Sequence, residues 1–420
     1  MISYLLQYNR YCNLIGIFVI LGIAILASRK RRSINYVLIV KALLLEIALA
    51  FCMLKTSIGV RIVHALADGI NKIYCCADEG SRFLFGNLID ASGAWAFIFA
   101  FKVLPLIIFF GALMSLLFYL GIVQKIVSAM SFIMRPLLGT SGAETLCAIA
   151  NSFLGQTEAP LLIRTYLKNM TKSEIVVVMV SGMGTISGAI LMVFAAMGIP
   201  AVHLLTASIM AIPGTLMIAK ILYPETEKPE TAAGAHAVTS SSKNALDAIS
   251  TGTTDGLYLA LNVGAMLISF ISLIALFNKI LEFSSLQLQE LVHYFGLAVQ
   301  LPVMNLSYIF SWLFSPFGYL LGFTGEEALK AGNLLGIKVT INELIAYGSL
   351  LTQNFSERSV ALLTYALCGF SNFSCIGIQI GGIGSLVPEK REWLTELGVL
   401  AVLGGSLSNL LSAMIVGLLI

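Results

Sequence analysis

Apolar stretches long enough to cross a lipid bilayer recur along this chain, and a water-soluble domain has no means of burying them all. A helix needs about 20 mostly apolar residues to span the hydrocarbon core, and such stretches return between short polar breaks from Leu14 to Ile420. Over 420 residues, 58% are hydrophobic and 11% charged, with a mean hydropathy of +0.91. That exceeds what a soluble fold can bury, so the bilayer is the solvent for most of the chain and its first partner. An all-α membrane protein with about eight spanning helices is expected. The net charge of +3 is small and scattered over loops, which argues against a nucleic-acid groove.

The first apolar run, Leu14 to Ala27, is followed at once by Arg29, Lys30, Arg31 and Arg32, whereas only Arg10 precedes it. Basic clusters stay cytoplasmic, so the N-terminus is expected to face outward. A cleaved signal peptide has the opposite order of charge and apolar run, so this segment is read as a helix. The seven cysteines are scattered without metal-ligand spacing and read as structural thiols. The four histidines lie far apart with no partnering pattern.

Helices are expected near residues 13–28, 34–54 and 94–124, the last interrupted by Pro105. From about residue 126 the apolar pieces shorten, broken by Arg135-Pro136, Gly139, Asn151, Gly155 to Glu158 and Pro160. Arms too short to cross, joined at a polar tip, describe a re-entrant hairpin, which survives at depth only where it lines a cavity or packs inside protein. Helices near 173–197 and 202–223 follow, then a polar linker from Pro224 to Asn244 and a long helix near 255–281. Short arms return between Leu301 and Leu335, around Ser315-Pro316-Phe317-Gly318, and predict a second hairpin. A segment broken around Cys368 to Ser374 and a final helix from about Trp393 complete the chain. The halves look alike, with travel reversed between them. Broken segments at matching positions of inverted repeats point to a transporter's substrate site.

A carboxylate near the bilayer centre costs at least about 2.5 kcal/mol, so Glu158 and Glu343 are expected to face a polar cavity rather than stand at interfacial helix ends. Glu46, alone among Leu and Ala, reads as an interfacial or packing feature. Gln156, Thr157 and Glu158 offer an amide, a hydroxyl and a carboxylate in sequence, which suits a neutral ligand with several donors and acceptors. Asn372 and Ser374 with Asn342 and Glu343 form a second cluster suited to vicinal hydroxyls, hence to a sugar-like group. Sodium prefers hard oxygens, and Asn151, Thr185 and the backbone around Leu154 and Ile186 provide them where a helix unwinds. The small residues Ser181, Gly182, Gly184, Ser187 and Gly188 read equally well as close helix packing.

At these residues the sequence resembles the concentrative nucleoside transporter family. The matches are Gly155-Gln156-Thr157-Glu158-Ala159-Pro160-Leu161, Met170-Thr171-Lys172-Ser173-Glu174, Asn342-Glu343 with Ala346-Tyr347, and Cys368-Gly369-Phe370-Ser371-Asn372-Phe373-Ser374 running into Ile376-Gly377-Ile378-Gln379-Ile380-Gly381-Gly382. The likeness covers roughly residues 90–420. It implies an elevator-type transporter built as a homotrimer, in which a scaffold holds a mobile transport domain. It further implies that Gln156, Thr157 and Glu158 hold the nucleobase, that Glu343 and Asn372 hold the ribose hydroxyls, and that Phe370 walls the base. Asn151 and Thr185 side chains with the Leu154 and Ile186 carbonyls would hold sodium as coupling ion. Cys375 stands where many members carry a ribose-contacting serine, and a thiol is a weak donor.

On this reading the chain divides into N-terminal membrane helices (1–90), a scaffold helix (91–125), a first transport-domain repeat with its hairpin (126–223), a cytoplasmic linker (224–254), a scaffold helix with an amphipathic segment (255–300) and a second repeat with its hairpin (301–420). The expected function is import of nucleosides such as uridine or adenosine by sodium symport, in the inner (plasma) membrane. Proton coupling is the alternative, since some relatives use protons. An intramembrane enzyme with Glu158 and Glu343 as acid and base, and a channel, are the rivals from other classes.

Overall fold

The computed structural model describes residues 2–89, 98–233, 235, 242–295 and 302–420, and every element among them is helical. Among the described residues, seven helices are long and apolar enough to cross a membrane, or eight if one bent pair counts as a span. The chain is a multi-pass integral membrane protein of the expected all-α class.

The N-terminal part comprises α1 (Arg10–Ala27), α2 (Tyr36–Lys55) and α3 (Ser57–Phe85). The Asn35 side chain accepts the Val37 and Leu38 N–H groups to cap α2, and Thr56 caps α3 from Gly59. Sequence reading passed over α3 because Asp68, Lys72, Asp78 and Glu79 break its hydropathy. Those charges lie on an amphipathic helix, and Asp78 pairs with Lys102 at 2.7 Å. Glu46 is not interfacial: it is fully buried on α2, and the Ser412 hydroxyl donates to its Oε1 at 2.7 Å.

Next come α4 (Leu104–Tyr119) and α5 (Ile122–Leu138). The expected interruption at Pro105 is present: a short helix, Phe99–Lys102, breaks at Val103, and α4 restarts with Pro105 in its first turn, where its missing N–H has no partner to lose. The helix expected over 94–124 instead ends at Tyr119, and Gly121, with φ of +75°, turns the chain into α5. Residues 94–97 of that expectation lie outside the described residues.

From here the chain passes through one sequence of elements twice. In the first half, α5 leads to α6 (Gly142–Asn151), an irregular stretch with short turns at Ala159–Ile163 and Leu167–Asn169, and a broken helix made of α7 (Lys172–Gly184) and α8 (Gly188–Met197), then α9 (Ala201–Leu222). The 50-residue α10 (Ala245–Tyr294) intervenes. In the second half, α11 (Leu306–Leu320) leads to α12 (Gly325–Thr340) and α13 (Glu343–Thr352), a broken helix made of α14 (Glu357–Leu367) and α15 (Phe373–Leu386), and α16 (Arg391–Leu419). Linker residues 234 and 236–241, amphipathic residues 296–300 and Leu301, the expected start of the second repeat, lie outside the described residues.

Ser315 to Gly318 is not the tip of the second hairpin but the interior of α11. Gly318 lets α12 approach, since a Cβ there would fall 3.0 Å from the Ala328 Cα. The chain turns instead at Leu321–Thr324, where α11 and α12 bend by 113° and Gly322 takes φ of +89°, and again at Ile341–Asn342.

The helices α7, α9 and α16 are buried along most of their length and form the core that carries the broken segments. A capping box starts α7: Thr171 Oγ1 accepts the Glu174 N–H at 3.1 Å, and Glu174 accepts the Thr171 N–H at 2.8 Å. Buried Lys220 of α9 ties both arms together, 2.8 Å from Glu144 of α6 and 3.0 Å from the Ser173 hydroxyl of α7. By contrast α10 is largely exposed and packs on α4 through Gly252 and Gly256, where a Cβ on Gly256 would fall 2.9 Å from the Ile108 Cα.

Candidate functional site

Two interruptions and two hairpin tips meet inside the bundle. Asn342 caps α13 by accepting the Ile345 N–H at 2.9 Å, which places Glu343 in the first turn of that helix. Asn372 caps α15 in the same way, its Oδ1 accepting the Cys375 N–H at 2.9 Å and the Ser374 hydroxyl at 2.7 Å. With Oδ1 committed to the cap, the Asn372 amide N–H₂ is free to donate, and it donates to Glu343 Oε2 at 3.2 Å. Asparagine at an N-cap therefore does two jobs here: it starts the helix and aims a donor at the carboxylate.

The first half reaches the same place from the other side. Gln156, in the irregular stretch after α6, donates from Nε2 to Cys375 Sγ at 3.2 Å and accepts at Oε1 from Gln379 Nε2 at 3.0 Å. A continuous polar chain thus runs Gln379, Gln156, Cys375, Asn372, Glu343, joining both hairpin tips through α15. Thr157 lies against α15 as well, since a Cβ on Gly382 would fall 3.1 Å from its Cβ. Glu158 is exposed, and its Oε2 accepts the Gly155 N–H at 3.2 Å. Phe370 is half-buried in the break before α15, and its N–H donates to the Thr185 carbonyl at 3.3 Å. That bond joins the two broken helices directly.

The candidate cation residues gather at the other break. Asn151 and Thr185 are buried, as are Leu154 and Ile186. Thr185 Oγ1 donates to the Asn151 carbonyl at 3.1 Å and to the Ser181 carbonyl at 2.7 Å, and Gly188 N–H reaches the Phe153 carbonyl at 3.0 Å. These bonds pin the first hairpin's tip to the break between α7 and α8. Asn151 Nδ2 donates to Ser181 Oγ at 2.9 Å, while Asn151 Oδ1 has no hydrogen-bond partner among the described residues. A buried amide oxygen left without a donor is costly, and it is the ligand type that sodium takes. The residue set therefore fits a hard monovalent cation.

Gln379 was quoted in the sequence only as part of a motif, yet it is fully buried and holds Gln156 in place, also donating to the Met179 carbonyl at 3.0 Å. Its signal was a lone amide inside an apolar, glycine-rich run. The helices come this close because side chains are missing: a Cβ on Gly182 would fall 2.8 Å from Gln379 Nε2, and one on Gly369 would fall 2.9 Å from the Met183 carbonyl oxygen.

Comparison with known proteins agrees with this geometry. Residues 15–88 match the N-terminus of the Na+ dependent nucleoside transporter family, residues 203–417 match its C-terminus, and residues 100–201 match the gate described as nucleoside recognition. An uncharacterized transporter of Haemophilus influenzae is 40% identical over 416 residues, covering 97% of both chains. The nucleoside permease NupC of Helicobacter pylori is 40% identical over 426 residues, covering 98% of both. A solved structure of CNTnw in an inward-facing, substrate-bound state superposes with a TM-score of 0.88 at 36% identity, covering 97% of this chain and 98% of that one. The enzyme reading of the two carboxylates falls with these matches, because the chain belongs to the Na+ dependent nucleoside transporter family.

Proposed function

We propose that this chain imports nucleosides, uridine and adenosine among them, by symport with sodium across the plasma (inner) membrane, moving its hairpins and broken helices as one body against a trimeric scaffold. The observation that carries this reading is the polar chain from Gln156 to Glu343, which reaches the Asn151 and Thr185 corner through Phe370: the Asn372 N–H donates to the Phe370 carbonyl at 2.8 Å and the Phe370 N–H to the Thr185 carbonyl at 3.3 Å. Gln156, Thr157 and Glu158 face the nucleobase, Glu343 and Asn372 take the ribose hydroxyls, Cys375 stands beside them, and Phe370 supplies an apolar wall. Sodium is held by the Asn151 and Thr185 side chains and the Leu154 and Ile186 carbonyls.

Coupling follows from the backbone. The Thr185 carbonyl accepts the Phe370 N–H, so a cation that orders residues 151–188 also orders the segment that presents Phe370 and Asn372. Sodium and the nucleoside therefore each tighten the other by the same factor. The exposed apolar length of α10, packed on α4 through its glycines, supports its role as the scaffold at the trimer's contacts. Calorimetric titration of uridine into purified protein, with sodium and with choline in its place, tests the coupling. Affinity at least about tenfold weaker without sodium is expected, and equal affinity would sink it.

A further inference from the structure

The second repeat carries a buried cation of its own where the first repeat has an amide oxygen that lacks a partner. Lys338 sits near the end of α12, five residues before Glu343, much as Asn151 ends α6 seven residues before Glu158. It is 1% exposed. Its Nζ donates to the Ala366 carbonyl at 2.8 Å and to Asn409 Oδ1 at 2.7 Å. Asn409, buried on α16, then spends both amide hydrogens on the breaks: Nδ2 donates to the Gly184 carbonyl at 2.7 Å and to the Cys368 carbonyl at 2.7 Å.

Gly184 is the last residue of α7, Ala366 lies in the last turn of α14, and Cys368 follows that helix. The carbonyl ends of both interrupted helices, where backbone acceptors lack helical donors and the partial charge is negative, thus converge on one ammonium and one amide. In a bilayer such acceptors need a partner from the protein or an ion. A buried lysine with a single fixed position supplies in the second repeat the charge that the Asn151 corner, with its unpartnered Oδ1, must take from solution.

We propose that Lys338 is a tethered cation at the crossing of the two broken helices, standing in for a second coupling ion, so that one sodium suffices for each nucleoside. It is a positioning residue: it acts on substrate through the backbone of the breaks, not by contact. This rests on the sodium-coupled reading above.

The test is uridine uptake into proteoliposomes against external sodium for the wild type, Lys338→Gln and Lys338→Arg. The wild type and Lys338→Arg should show a Hill coefficient of about one. Lys338→Gln should need about tenfold more sodium for half-maximal uptake and respond more steeply, toward a coefficient of about two. A Lys338→Gln transporter with the wild-type sodium curve overturns the tethered cation while leaving sodium coupling intact. A wild type indifferent to sodium overturns the coupling reading itself. Should neither variant elute as folded protein, the coupling ratio of the wild type from reversal potentials decides: one sodium per nucleoside supports the proposal, and two contradict it.

Discussion

Cys375 is the residue at which this chain departs from the pattern it resembles, and its surroundings show what the departure does. Its backbone N–H is used by the Asn372 cap and its sulfur accepts from Gln156 at 3.2 Å, so the thiol is held between the Asn372–Glu343 cluster and Gln156 as an acceptor. Cys375→Ser installs a better donor and acceptor at the same place. Uridine affinity should tighten by a few-fold, since a neutral hydrogen bond contributes about 1 kcal/mol. Affinity for 3′-deoxyuridine should stay as it was. Equal tightening for both nucleosides, measured by calorimetry, would show that Cys375 does not read the 3′-hydroxyl. The carboxylates, the amides and the departing cysteine were all visible in the sequence because polar residues inside apolar runs are expensive and so stand out. Gln379 was less visible, being one amide among Ile and Gly with no neighbour in sequence to mark its role. Its partner Gln156 lies more than 200 residues away, and pairing over that distance is not written in local pattern.

At the scale of elements, helix ends decide the architecture. Asn342, Asn372, Thr171 and Ser187 each cap a helix with their own side chain, and these caps place the tips and breaks. Lys220 holds the first hairpin's arm to α7 and α9, reaching Glu144 at 2.8 Å and Glu225 at 3.4 Å. Burial pushes the Glu225 carboxyl up, but the Lys220 charge and the hydrogen bonds from Thr171 and the Glu227 N–H outweigh it and hold the group below the usual carboxylate range. A carboxyl held low stabilises the fold above its unfolded value of about 4.3, and that stability is lost as pH falls through the lower folded value. Lys220→Met leaves Glu144 buried without its partner and should destabilise the protein by about 3 to 5 kcal/mol, read as a lower midpoint in thermal melts in detergent. An unchanged midpoint would mean that the pair contributes nothing. Spanning helices were legible because hydropathy is a property of composition. The amphipathic α3 was hidden by its charges, and the site of the second turn was misplaced because Ser315 to Gly318 reads alike as a loop or as a face for close helix packing.

The whole molecule separates into a thin pair and a thick block. The pair α4 and α10 meets through Gly111, Gly252 and Gly256, whereas α1, α2, α7, α9 and α16 interlock around the breaks. At about 1.5 Å per residue, the 50 residues of α10 run to about 75 Å, far longer than the hydrocarbon core is thick, and such a strut suits a fixed frame. Movement of the block along that frame predicts that spin labels on exposed Val399 of α16 and exposed Leu276 of α10 change their separation when sodium and uridine are added. A distance distribution that ignores both ligands would contradict a moving block. The order of elements in the two repeats could be read from sequence, and so could the two segments, 91–125 and 255–300, expected to serve as scaffold; the contact between α4 and α10 could not, since it depends on glycines in segments more than 130 residues apart.

All three scales meet in one experiment: accumulation of radiolabelled uridine in proteoliposomes under an inward sodium gradient, an inward proton gradient or neither, for the wild type and Glu343→Gln. The account predicts accumulation under the sodium gradient alone, and its loss in the variant, whose amide can no longer accept at full charge from Asn372 and the ribose. Accumulation driven only by protons would contradict the sodium site, and equal accumulation by Glu343→Gln would contradict the substrate site.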